Sequence, residues 1–300
     1  MALAGYPPPV HLLGDLGMEA ELTDETSAWV RTRAVPHAAA PDGGVRAGVL
    51  ATLVDIVGGA VAARVLRPDW MATADLALEV TGPVHGPQVE ARGSVVRRGR
   101  TTLVIEAVVV SVDDDGHEVT VGGRTPDPVA WASMTFAVLP ATGRAVGVQA
   151  AVDLPVRWAF TGDGLPAPVL EAIAVEVVDG PAGRVTLPVR PYVHNSFGAV
   201  QGGVMAMVAE AAGAEAIGAA LGGTAEDVVV TDLQVAYLAL GKVGPIVSEA
   251  RVLGPGPAGR SAAVVELRDA GADGRLTTVV TVGAVPLDAA VGGRPGGGGR

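Results

Sequence analysis

The chain has 300 residues, 49% of them hydrophobic and 3% aromatic, with 21 Lys+Arg against 32 Asp+Glu and a formal net charge of -11. That length suits two domains or one large one around an aliphatic core. The acidic balance argues against nucleic acid or an anionic membrane surface as partner, because both reward basic patches. With no Cys in the sequence, disulfides, thiolate metal sites and a cysteine nucleophile are excluded.

In chain order, Met1 to Gly17 carries Pro7-Pro8-Pro9 and no basic stretch ahead of an apolar run. It does not read as a signal peptide, and a cytoplasmic location is expected. A strand is predicted over Ala28–Ala34, then a Gly-rich loop and a helix of roughly six turns, in a region whose most apolar stretch is Gly48–Val65. Strand-like runs follow at Val89–Val96, Thr102–Val112 and Trp131–Leu139. Residues 141–155 read as a linker between an N-terminal repeat, 1–140, and a C-terminal repeat, 156–289. In the second repeat a strand at Val185–Val189, another Gly-rich loop and an apolar helix through Gly202–Leu221 precede runs at Ile246–Leu253, Ala262–Arg268 and Thr277–Val285. Residues 290–300 read as a flexible Gly-rich tail. Both helices are apolar nearly all round, which implies burial on most faces. Asp55 interrupts the first, and Glu210 and Glu215 the second, charges that bilayer spans rarely tolerate.

The two halves repeat one pattern. Val45–Asp55 lies over Val200–Glu210, with Asp55 aligned on Glu210 at an offset of 155 residues. Asp75–Leu78 lies over Asp232–Val235 at an offset of 157, and Arg100–Glu106 over Arg260–Glu266 at 160. Three matches in order, one of them carboxylate on carboxylate, exceed what an Ala/Val/Gly-rich chain gives by chance. A buried helix followed by antiparallel strands, twice over, predicts an α+β fold in which each sheet wraps around a helix.

The stretch His194-Asn195-Ser196-Phe197-Gly198-Ala199-Val200-Gln201-Gly202-Gly203, ahead of a helix bearing Glu210, resembles the loop of the PaaI-like hotdog thioesterases. That loop usually reads Asn-x-x-Gly-x-x-His-Gly-Gly before a helix with Asp or Glu; here Gln201 stands in place of the His. The resemblance runs on through Asp232–Tyr237 and the closing strands, and repeat one shares the helix, Thr73-Ala74-Asp75-Leu76 and Arg97-Arg98-Gly99-Arg100. It implies tandem hotdog repeats forming an intrachain pseudo-dimer, an acyl-CoA substrate, no metal, and no cofactor beyond the CoA of the substrate itself. In such families two dimers often pair, which offers a homodimer of chains as the assembly.

Carried over residue by residue, the resemblance implies one complete site between the repeats: Asn195 and the Gly202 N–H from repeat two, Asp55 and Thr73 from repeat one. In the reciprocal site Glu210 is correctly spaced, but Ala40 and Ala47 stand where Asn and Gly are expected. The hydroxyl position there falls on Val228, Val230 or Thr231. One competent and one degenerate site are therefore expected. Arg97, Arg98, Arg100, Arg260 and Lys242 are candidates to touch the CoA phosphates.

The chemistry stands without the family. A mid-helix carboxylate on an apolar face must be hydrated, paired or functional, because burying it alone costs several kcal/mol. A helix start after glycines offers unpaired N–H groups and a positive dipole end, which suit a developing oxyanion. Asp55 then acts either as a general base toward water or as a nucleophile on the thioester carbonyl. Plainer readings stand beside these: Asp55 facing solvent, Asn195 bonding its own loop, the arginines forming a solvated rim. The histidines show no metal-ligand spacing, and only His194 lies near the site. Gly254–Gly259 fits G-x-G-x-x-G but lies between strands, and no G-x-S-x-G occurs. Two other functions stay open: a non-catalytic acyl-ligand-binding double hotdog, and a hydratase-type enzyme, for which neither helix supplies the expected histidine.

Overall fold

The structure, a computed structural model, describes residues 7–140, 153–255 and 259–292. Repeat one holds the short helix α1 (Leu12–Asp15), strands β1 (Glu19–Leu22) and β2 (Ser27–Arg33), the long helix α2 (Ala47–Val65), and strands β3 (Trp70–Val80), β4 (Gln88–Arg98), β5 (Thr102–Val112) and β6 (Ala130–Leu139). After β7 (Val156–Ala159) and α3 (Val169–Ala172), repeat two runs β8 (Glu176–Asp179), β9 (Arg184–Leu187), α4 (Gly202–Ala220), β10 (Val228–Tyr237), β11 (Ile246–Pro255), β12 (Ser261–Asp269) and β13 (Arg275–Pro286), closing on α5 (Leu287–Gly292).

All thirteen strands join one sheet, in the order β7-β1-β2-β4-β5-β6-β3-β10-β13-β12-β11-β9-β8. The two halves meet at the antiparallel β3–β10 ladder, where Ala77 pairs Gln234 and Asp75 pairs Ala236. Shifting any pair of this ladder by 157 residues returns another pair of the same ladder, so a pseudo-twofold axis passes through Ala77 and Gln234. The fold is thus the tandem hotdog expected: a sheet half wrapped around each long helix, fused edge to edge.

The period-two pattern of the strands feeds one core. Ile105, Met134 and Phe136 from the first half, and Val265, Val280 and Val282 from the second, are fully buried together with Leu50, Leu53, Val204 and Met207 of the helices. The helices touch where glycine permits backbone contact. A Cβ on Gly48 would stand 2.6 Å from Met207 Cα, and one on the pseudo-equivalent Gly203 would strike Thr52. This contact brings the start of each helix against the middle of the other.

Three sequence expectations need correction. The second repeat was expected from residue 156, but β7 adds to the edge of the first half, pairing β1 from Glu19↔Ala159 to Leu22↔Val156. An edge strand presents unpaired backbone groups, and this alternating four-residue segment satisfies them. Residues 290–292, read as the start of the tail, are the end of α5. The short strands β1 and β8, too brief for a clear alternation, escaped prediction. Most of the predicted linker, the rest of the tail and the centre of Gly254–Gly259 lie outside the described residues.

Candidate active site between the repeats

Asp55 lies in the middle of α2 and is half-buried. Thr73 Oγ1 donates to its Oδ1 at 3.1 Å. The threonine reaches it because β3 carries a bulge between Thr73 and Asp75 against β6, and an extra residue there re-aims the side chain. The Gly203 N–H, at the start of α4 in the other repeat, donates to the same carboxylate. Gly202 comes so close that a Cβ there would stand 2.7 Å from Asp55 Oδ2 and 3.1 Å from the Tyr237 hydroxyl. Only glycine fits. Burial raises the Asp55 pKa to about 6, with the Thr73 and Gly203 bonds pulling the other way. The structure therefore brings Asp55, Thr73 and Gly202 together across the repeat boundary.

The loop ahead of α4 is held from both sides. Asn195 Oδ1 accepts from Phe197 N at 2.9 Å and from Ala199 N at 3.1 Å, so its carbonyl end shapes its own loop. Its Nδ2 group makes no side-chain hydrogen bond among the described residues, and that end is what it has to offer a ligand. Gln201, which occupies the usual histidine position, is buried and donates Nε2 to the His194 carbonyl at 2.9 Å. The same carbonyl accepts from His11 Nε2 at 2.9 Å, and Tyr192 donates to Asp15 Oδ2 at 2.8 Å. The N-terminal segment of repeat one thus clamps the site loop of repeat two. Phe197 packs on Trp70 at the start of β3, ring centroids 5.3 Å apart, which closes a further contact across the repeats.

The reciprocal site has the same frame with different contents. Glu210 Oε2 accepts from Gly48 N at 2.9 Å, the pseudo-twofold image of Asp55 on Gly203. Its Oε1, however, takes Arg46 Nη1 at 3.3 Å, in a pair whose side chains are 16% and 3% exposed. Arg46 is the residue aligned with Gln201. The bulge between Val230 and Asp232 puts Val230 in the place of Thr73. Thr231 instead donates to Asp232, whose carboxylate also holds Arg260 at 2.9 Å. Val80, Val230, Ala40 and Val45 close on a cavity of about 20 Å³, room for one water at most. Glu210 is held in an ion pair with Arg46, and Arg260 is bound to Asp232.

Arg97, Arg98, Arg100 and Lys242 are exposed. Arg98 pairs Leu103, Leu103 pairs Phe136, and Phe136 pairs Thr73, so the β4–β5 hairpin lies level with Thr73. Three strand spacings make that separation about 14 Å. Lys242 follows Gly241, whose carbonyl accepts from Val200 N in the site loop. Among the described residues Asp113, Asp115 and His117 are grouped closely enough to hold a metal ion, in an exposed turn of repeat one.

Sequence reasoning missed three residues that matter here: Gly203, Arg46 and Tyr237. A signal existed for two of them. Laid over each other, the repeats place Arg46 on Gln201 and Val80 on Tyr237, and a polar group in one copy facing a different group in the other marks where the sites diverge.

Comparison with known proteins agrees with this frame. A family model described as the Thioesterase superfamily matches residues 43–116 and 197–268, once in each repeat. A putative thioesterase from Novosphingobium aromaticivorans superposes with a TM-score of 0.55 at 16% identity, covering 88% of this chain and 97% of that one. An acyl-ACP thioesterase from Bacteroides thetaiotaomicron gives 0.52 at 12%, covering 86% and 97%. A putative oleoyl thioesterase from Lactobacillus plantarum gives 0.53 at 12%, covering 92% and 99%. At such identities the likeness is one of fold. No curated protein sequence matches the chain significantly.

Proposed function

We propose that this tandem hotdog chain is an acyl-CoA thioesterase with one working site, built from Asp55 and Thr73 of the first repeat and the start of α4 in the second. The observation that carries the reading is the Asp55 carboxylate, set against the first N–H groups of α4 and raised to a pKa of about 6 by burial. Such a group is mostly ionised at neutral pH yet basic enough to take a proton from water. The water oxygen adds to the thioester carbonyl, whose oxygen is drawn toward the Gly202 N–H and the positive end of the helix. The C–S bond then breaks, the proton held by Asp55 passes to the leaving thiolate, and the products are free acid and CoA. The match of each repeat to the Thioesterase superfamily model supports this chemistry, and the loop from His194 to Gly203 supports the PaaI-like subgroup.

CoA as the carrier is favoured by charge. The exposed arginines at 97, 98 and 100 form a local cationic rim about 14 Å from Thr73, a span that a pantetheine arm bridges. A net charge of -11 opposes the docking of an acidic carrier protein, whereas a small polyanion needs only those few cations. The test is free-thiol release from a panel of acyl-CoA and acyl-pantetheine thioesters, with wild type and Asp55→Asn side by side. Turnover that prefers CoA and collapses in the variant is expected. Equal turnover by both proteins would remove Asp55 from the chemistry, and equal rates on both carriers would remove the arginine rim.

A further inference from the structure

We infer that Tyr237 is a catalytic residue of this site, its hydroxyl donating to the thioester carbonyl oxygen beside the Gly202 N–H; the inference rests on the thioesterase reading. Tyr237 ends β10, one residue past the Ala236↔Asp75 pair. Its backbone therefore stands beside the β3 bulge that presents Thr73. The residue is half-buried, but its hydroxyl oxygen is buried and has no hydrogen-bond partner among the described residues. That oxygen lies 3.1 Å from the point where a Gly202 Cβ would be, and Asp55 Oδ2 lies 2.7 Å from the same point. Buried hydroxyls are almost always hydrogen-bonded. One left unpaired between the carboxylate and the helix start is set aside for a ligand.

The choice of the carbonyl over the water follows from what the hydroxyl can do. Burial, and then the nearby Asp55 charge, hold the phenol well above its usual pKa, so it stays a neutral donor at every working pH. A permanent donor aimed at the attacking water would compete for the lone pair that forms the new bond. Aimed at the carbonyl oxygen, it stabilises the charge that develops there, and it fills the second acceptor position that a single N–H leaves open. The other repeat agrees: Val80 holds the pseudo-equivalent place, opposite the site where Glu210 is tied to Arg46.

Two ligands of equal chain length separate the roles: a CoA ketone with a methylene in place of the thioester sulfur, and an S-alkyl CoA thioether with no carbonyl. For Tyr237→Phe in the full chain, the ketone is expected to bind about tenfold more weakly and the thioether unchanged. The kcat on acyl-CoA should fall on the order of 10²-fold, with KM raised by no more than the loss seen with the ketone. The melting temperature should hold or rise, because the lost hydroxyl was unpaired in the free protein. Loss of affinity for both ligands alike, or for neither while wild type binds both, overturns the assignment of Tyr237 alone. Wild type that binds neither ligand overturns the acyl-CoA reading, and the tyrosine's role with it.

Discussion

Thr73 donates its hydroxyl to Asp55 Oδ1 at 3.1 Å, and Oδ2 is left facing Gly202 of the other repeat. The bond favours the ionised carboxylate, while burial opposes it. Thr73→Val keeps the shape and removes the bond, so the Asp55 pKa should move above about 6. The ascending limb of a kcat/KM profile is then expected to shift to higher pH, with turnover on the acid side falling several-fold. An unmoved limb would assign that titration to another group.

The same carboxylate makes the folded state weaker than it needs to be. Its pKa is about 6 when folded against 3.8 when free, so the folded form binds the proton more tightly. Ionisation above pH 6 therefore costs stability, at most about 3 kcal/mol, and below pH 4 both states are protonated and the cost disappears. Asp55→Asn should melt higher than wild type at pH 8, by a margin that shrinks as the pH falls from 6 to 4. Thermal melts across that range check it, and a pH-independent margin would contradict it.

Glu210 should behave in the opposite way. Glu210→Gln leaves the half-buried Arg46 guanidinium without its anion; removing one partner of a fully buried pair costs about 3–5 kcal/mol, and the partial exposure of Arg46 sets the cost here below that. A melting point lowered by several degrees is expected, with acyl-CoA turnover within about twofold of wild type. Turnover lost as completely as in Asp55→Asn would make the second site a working one.

Gly202→Ala tests close approach. Alanine suits the first turn of a helix, so stability should change little, but its Cβ would meet Asp55 Oδ2 at 2.7 Å. Displacing a reacting group by a fraction of an ångström can cost on the order of 10²-fold in rate. A kcat lowered by that order at nearly constant melting temperature is expected. A variant as active as wild type would place the carbonyl away from the start of α4.

Much of this was legible in the sequence because it depended on spacing. Asp55 and Glu210 align at one offset, so the repeat and its carboxylates could be read directly, whereas Thr73 followed only from the resemblance to the PaaI-like thioesterases. What pairs across the fold could not. Arg46 precedes its helix by one residue, and nothing local says that its guanidinium crosses to Glu210 in the other repeat. Tyr237 closes the Asp232–Tyr237 segment of the resemblance, and only the β3–β10 ladder sets it beside Thr73. Asn195 shows the limit of a motif: its spacing to Gly202 fits the family, yet its carbonyl oxygen is spent on Phe197 and Ala199. β7 carried no signal of its destination, because its partner strand lies more than a hundred residues earlier.

The β3–β10 seam has a consequence for how such a protein changes. In a dimer of identical chains every substitution appears twice, so a residue that improves one site must also be tolerated in its mirror image. Joined end to end in one polypeptide, the two halves inherit changes separately. Arginine could enter at 46 while glutamine stood at 201, and valine at 80 while tyrosine stood at 237. One of the two cross-repeat sites is then free to become a structural contact, and the shared sheet holds both halves in place around the other.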